Sequence, residues 1–148
     1  MSGTSLDGLD IAHVEFEFHP NQNPVFQIIN AQTISYPEAL LSKLKTSAQM
    51  SSPALFHLHH ELGLYYAKCV HEFCENYTID AAQIAAIAAH GQTIFHQPEQ
   101  GFTVQIGCGV TLNYHTQIPV INDFRTLDVV AGGQGAPLVP IGDALLFS

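Results

Sequence analysis

The segment Gly3-Thr4-Ser5-Leu6-Asp7-Gly8 is bounded by glycines and carries two hydroxyls and one carboxylate, and it runs into Leu9 and Asp10 at the start of an alternating stretch. Residues of these types at this spacing can cradle a phosphate. Glycine exposes backbone N–H groups at no steric cost, Thr4 and Ser5 add hydroxyl donors, and Asp7 can hold a magnesium ion directly or through water. An ordinary hairpin turn uses the same small polar residues, so both readings stand at this point. Two familiar loops are excluded. A P-loop requires Gly-Lys-[Ser/Thr], whereas the first Lys of the chain is Lys43; a nucleophile elbow requires Gly-x-Ser-x-Gly, whereas Leu6 and Asp7 separate Ser5 from Gly8.

Two further polar clusters could carry chemistry: His90-Gly91-Gln92-Thr93, and Asn122-Asp123-Phe124-Arg125-Thr126-Leu127-Asp128 followed by Gly132-Gly133-Gln134-Gly135. Arg125 is the sole arginine of the chain and stands between two aspartates. It is either a structural ion-pair partner or a planar donor for a ligand carboxylate or phosphate. His90 can accept a hydrogen bond from a ligand hydroxyl or move a proton, although a histidine at a strand end is also a common structural residue. Gln92 and Thr93 add the amide and hydroxyl groups used in sugar recognition. Asp123 and Asp128 could form a glycosidase-type carboxylate pair, but spacing supplies neither the separation nor the raised pKa that this chemistry needs. His57, His59 and His60 lack a His-Glu-x-x-His pattern and are expected on a solvated helix face; Cys69 and Cys74 are expected in the core.

The elements that must position these groups follow from periodicity. Residues 11–18 alternate, with Ala12, Val14, Phe16 and Phe18 on one face and Ile11, His13, Glu15 and Glu17 on the other, predicting a half-exposed antiparallel strand. The turn cluster at 19–24 leads to a second strand at 25–35. Pro37 opens a short helix through Leu40, Leu41 and Leu44. Ser52-Pro53 opens a longer one, in which Leu55, Leu58, Leu62, Tyr65, Tyr66, Cys69, Val70 and Phe73 form one apolar stripe ending at Asn76. Short strands are expected at 84–89, 94–96, 102–106 and 119–121, with a short helix at 110–117 and a polar, glycine-rich stretch at 122–135. Strands followed by a helix, then alternation of the two, predict an α/β domain with a mixed sheet. In such folds ligands collect beyond strand ends, where all three polar clusters fall, so one shared cleft is expected.

Composition narrows the function classes. The 148 residues are 47% hydrophobic, enough for one domain with a core, and carry only 4 basic against 13 acidic residues for a net charge of −9. No basic stripe is present to release counterions, which argues against nucleic-acid binding. No apolar run approaches the roughly 18 residues of a membrane span and no export signal precedes one, so a cytoplasmic protein without membrane association is expected. Three cysteines without zinc spacing fit reduced thiols.

Taken together, Met1-Ser2-Gly3-Thr4-Ser5-Leu6-Asp7-Gly8-Leu9-Asp10, His90-Gly91-Gln92-Thr93 with His96-Gln97-Pro98, Phe102-Thr103-Val104-Gln105-Ile106-Gly107, and Asp123-Phe124-Arg125 through Gly132-Gly133-Gln134-Gly135-Ala136-Pro137-Leu138-Val139-Pro140 resemble anhydro-N-acetylmuramic acid kinase. The resemblance implies the N-terminal domain of an actin-like sugar-kinase ATPase fold, with residues 1–148 as that domain and a second domain absent from this chain. It implies ATP and Mg2+ as cofactors, an amino sugar as substrate and a homodimer as in the family. By position, residues 3–10 (Gly3, Thr4, Ser5, Leu6, Asp7, Gly8, Leu9 and Asp10) would meet the nucleotide, with Asp7 at the metal, and His90, Gln92, Thr93, Asp123 and Arg125 would face the sugar. The reaction implied is hydrolytic opening of the 1,6-anhydro ring with phosphorylation of O6, giving N-acetylmuramic acid 6-phosphate during cell-wall recycling. The family's general base, an Asp in a Phe-Asp-x-Gly-Pro-type motif, matches nothing in these residues and is expected downstream, so no catalytic residue is assigned here and a fragment inactive by itself is expected. Leu127 departs from the Arg found in many relatives. Another actin-like sugar or acyl kinase, or a non-catalytic remnant, are the alternatives.

Overall fold

The computed structural model of the chain describes Leu6, residues 8–20 and residues 22–146. Strands β1 (Leu9–Glu17) and β2 (Val25–Ile34) form an antiparallel hairpin in which Leu9 lies opposite Ile34 and Glu17 opposite Val25. Its register slips between His13 and Val14, because Asn30 faces His13 and Ile28 faces Val14, leaving Ile29 as the extra residue of a bulge. The strand and its antiparallel pairing are as expected, and burial is confined to its first residues. Leu9 is buried and Ile11 and His13 are half-buried, while Ala12, Phe16 and Phe18 are exposed. The core is met only where the hairpin base crosses it. Phe16 instead packs with Phe18 and Phe26 at ring-centroid distances of 6.2 Å each, at the distal end of the hairpin.

Helix α1 (Glu38–Lys45) follows Pro37, and α2 (Ser52–Asn76) starts with Pro53 in its first turn, where the missing N–H is not needed. The predicted stripe of α2 is the centre of the core. Leu58, Leu62, Tyr66, Cys69 and Phe73 are buried, and Leu9, Tyr36, Leu40, Leu44, Ile106 and Leu112 join the buried set. Burial raises the pKa of Cys69 and of Cys74, consistent with inert thiols. Lys43 ties α1 to α2 through both carboxylate oxygens of Glu61, at 2.7 and 2.8 Å.

Strands β3 (Ile87–Ala89), β4 (Gln92–Gln97) and β5 (Phe102–Ile106), helix α3 (Gly109–Thr116) and strand β6 (Val120–Asn122) follow. β3 pairs with β6 in parallel and β4 with β5 antiparallel, so both pairing modes of an α/β domain are present, distributed over three two-stranded ladders among the described residues. The expected strand at 84–89 is realised only at 87–89, where Val120, Ile121 and Asn122 of β6 supply its partners; before it, Asp80 accepts a 3.0 Å hydrogen bond from the Ala82 N–H at the start of a single 3₁₀ turn at 81–83. The glycine-rich stretch also contains more structure than its composition indicated: α4 (Thr126–Val130) forms within it and α5 (Val139–Leu146) follows.

Candidate functional site

The parallel pairing of β3 with β6 places Ala89 beside Asn122, so the residues that follow, His90 and Asp123, leave the same edge of the ladder. Two clusters distant in sequence thereby meet. Their contact is direct: Arg125 donates from Nε–H to His90 Nε2 at 2.8 Å and from Nη1–H to the Gly135 carbonyl at 2.9 Å. His90 Nδ1 lies 2.9 Å from the carbonyl of Gly91. Burial holds the His90 pKa below its ordinary value, and the Arg125 charge acts in the same direction, against the Gly91 carbonyl, which raises it. His90 therefore stays neutral at physiological pH.

Of the two readings open for Arg125, the ion pair is not the one realised among the described residues. Asp123 accepts from the Thr126 N–H at 3.3 Å where α4 begins, and Asp128 accepts from the Gly135 N–H at 2.6 Å. Each aspartate shapes the loop that carries the guanidinium. Gly135 has φ +64°, and a Cβ there would come within 2.7 Å of Val129 Cγ2, which explains why a glycine presents the carbonyl to Arg125. Leu127 is exposed on α4.

Gly91 turns the chain from β3 into β4 with φ +76°, and a Cβ on it would sit 2.5 Å from the Ile106 carbonyl oxygen. That approach carries Gln92 into the interior at 4% exposure, where its Oε1 has no partner among the described residues. A buried amide oxygen without a donor is costly unless a ligand or water supplies one. Thr93 is half-buried and accepts a 3.4 Å hydrogen bond from Gln105 Nε2, which also donates to Thr103 Oγ1 at 2.8 Å. Gln92 and Thr93 thus lie next to the His90–Arg125 pair in sequence, with their own contacts on the β4–β5 ladder.

At the predicted phosphate loop, Gly3, Thr4, Ser5 and Asp7 lie outside the described residues. Its described part is pinned to the hairpin. Leu6 has φ +55°, and a Cβ on Gly8 would meet Thr33 Cγ2 at 2.8 Å and the Ile34 carbonyl at 3.0 Å. Leu9 is buried in the core, and Asp10 accepts a 2.6 Å hydrogen bond from the Thr33 hydroxyl. Among these four, the Leu9 and Asp10 side chains are engaged in the fold.

Sequence reasoning missed one structural contact near the site. His57 is exposed as expected, but His59 is half-buried, accepts the Gly107 N–H at Nδ1 (3.2 Å) and accepts the Cys108 N–H at its carbonyl (3.0 Å). Its pKa is lowered, first by burial and then by the neighbouring His60. His60 lies 3.0 Å from Thr111 Oγ1. The signal was Gly63, a helix-interior glycine one turn after His59: a Cβ there would stand 2.7 Å from the Cys108 carbonyl, so it marks where the β5–α3 turn touches α2. Beside this turn, an open recess of about 440 Å³ is lined by His59, Cys108, Gly109, Val110, Asn113, Val120 and Asn122, the last directly preceding Asp123.

A family model described as anhydro-N-acetylmuramic acid kinase matches residues 1–148 of the chain. The chain belongs to the anhydro-N-acetylmuramic acid kinase family. It is similar to the proteins of that name from Bacillus cereus (strain AH820), Bacillus anthracis (strain A0248) and Bacillus thuringiensis subsp. konkukian (strain 97-27), each 37% identical over 155 residues covering 99% of this chain and 40% of the relative. The chain thus spans about two fifths of the length of these relatives. The anhydro-N-acetylmuramic acid kinase family has an actin-like sugar-kinase fold, and the α/β architecture described above is that of its N-terminal portion. Among the described residues no helix is long and apolar enough to cross a membrane.

Proposed function

We propose that these residues form the phosphate-loop and sugar-side half of an anhydro-N-acetylmuramic acid kinase, which opens the 1,6-anhydro ring with water and transfers the γ-phosphoryl group of ATP to O6. Products are N-acetylmuramic acid 6-phosphate and ADP, and the water supplies the anomeric hydroxyl. The observation that carries the reading is the meeting of His90 and Arg125 at one ladder edge, with Gln92, two residues after His90, holding a buried amide oxygen unpartnered among the described residues. Such a set of convergent polar groups at strand ends is what an oriented sugar requires. In this reading residues 1–148 are one domain, a second domain closes the cleft, and the general base comes from outside these residues.

The residue types present between Gly3 and Gly8 fit a nucleotide and magnesium. Gly8 has no room for a side chain against β2, and the hydroxyls of Thr4 and Ser5 with the Asp7 carboxylate are a donor set suited to phosphate and a hard cation. Bound there, the pair would supply the phosphoryl group and neutralise charge on it. His90, Gln92, Thr93, Asp123 and Arg125 orient the sugar. A cytoplasmic, homodimeric enzyme of cell-wall amino-sugar recycling is the setting proposed.

The test is a coupled ATP-consumption assay on a protein of the relatives' full length carrying these residues. Turnover with the anhydro sugar and none with glucose or N-acetylglucosamine is expected. Turnover with the simple hexoses alone would overturn the reading and favour another actin-like sugar kinase.

A further inference from the structure

We propose that His90 is a positioning residue whose imidazole, locked as the Nδ1–H tautomer by the Gly91 carbonyl, presents Nε2 as the acceptor that orients the Arg125 guanidinium. The assignment follows from the two partners. A carbonyl oxygen only accepts, so the nitrogen 2.9 Å from Gly91 O must carry the proton. A guanidinium N–H only donates, so the nitrogen 2.8 Å from Arg125 Nε must offer its lone pair. The opposite tautomer would set donor against donor and lone pair against lone pair, and imidazolium would add a like charge.

Held at Nε by His90 and at Nη1 by the Gly135 carbonyl, the planar group has its rotation fixed and keeps Nη2 uncommitted to any described residue. His90 consequently acts on a ligand through Arg125, both ring nitrogens being engaged. The inference rests on the kinase reading only for what Nη2 meets, which is an anionic or hydroxyl oxygen of the ligand; the lock itself belongs to this chain.

Arg125 is the only arginine, so its side-chain Nε–H gives a single unambiguous nitrogen-15 resonance. Long-range proton–nitrogen correlation on the 148-residue chain at pH 7.5 is expected to show His90 neutral and protonated at Nδ1. The Arg125 Nε–H should exchange with water about tenfold more slowly than in free arginine, as one charge-assisted hydrogen bond implies. His90→Gln, whose amide oxygen reaches the Nε2 position, should retain that protection; His90→Asn, too short to reach, should lose it while the backbone amide spectrum stays dispersed. A wild-type spectrum with the Nε2–H tautomer, or with Arg125 exchanging like free arginine, overturns the proposal without any variant. A kinase assay that failed on the anhydro sugar would leave these spectra unchanged, so the two readings fail separately.

Discussion

The 2.8 Å hydrogen bond from Arg125 to His90 joins two loops separated by 35 residues, and it does so with a neutral acceptor for a permanent cation. Protonating His90 would destroy the bond and oppose two positive charges, so this pair couples the fold to pH.

The His90 pKa lies below the ordinary value of about 6.5 because the ring is buried, and Arg125 is the charged group among the described residues that acts on it. The unfolded chain therefore takes up the proton first as pH falls. Stability should be full above pH 6.5, decline as pH drops through the folded pKa, and level off below it. His59, shifted in the same direction, adds to the slope. Urea midpoints at pH 7.5 and 5.5 check this: a lower midpoint at pH 5.5 is expected, with a smaller difference in His90→Gln. Equal midpoints would contradict it.

Gly91→Ala and Gly101→Ala have nearly the same backbone angle, φ +76° and +79°, but different surroundings. At Gly101 nothing lies within 4 Å of the added Cβ, so only the left-handed strain remains, about 1 kcal/mol. At Gly91 the Cβ meets the Ile106 carbonyl at 2.5 Å, and the loss should exceed about 3 kcal/mol. Denaturant unfolding of both variants should separate them clearly.

Gly63→Ala would stabilise an isolated helix by about 1 kcal/mol. Here the added methyl would meet the Cys108 carbonyl at 2.7 Å, and the β5–α3 turn has backbone hydrogen bonds that hold it there. A net destabilisation of about 1–3 kcal/mol is expected. A raised melting temperature would show that the turn yields.

In a full-length protein carrying these residues, Asp7→Ala should lower kcat far more than it raises the KM for the sugar, since a magnesium-bound carboxylate acts on charge developing at the transferred phosphoryl group. Arg125→Ala should raise the KM for the sugar instead, and Arg125→Lys should not rescue it, because a point charge cannot keep two fixed donors and a third free. Unchanged kcat for Asp7→Ala at saturating ATP would leave the glycine loop a simple turn.

How far these features were legible in the sequence depended on the range of the interaction. The α2 stripe and the hairpin pairing follow from local periodicity, and both are present as read. The placement of His90 and Arg125 at strand ends was also legible, since apolar runs end at both. Their mutual bond was not: it depends on β3 and β6 being neighbours, a pairing between segments that no local pattern specifies. His59 was misread for the same reason, because its partners belong to a turn that α2 meets only through Gly63. Which part of β1 meets the core was not legible either, since both of its faces carry apolar residues and the position of the core decides between them.

Strand β2 has an uncharged sequence, Val-Phe-Gln-Ile-Ile-Asn-Ala-Gln-Thr-Ile, and among the described residues only one of its edges is paired. With Phe16, Phe18, Val25 and Ile28 exposed beside it, this ribbon is a template for edge-to-edge growth of strands between molecules. The net charge of −9 opposes such growth by a long-range repulsion that salt screens within about 10 Å at 0.1 M. Light scattering should accordingly rise with ionic strength and fall again when Ile28 is replaced by Lys, tying the colloidal behaviour of the protein to one hairpin.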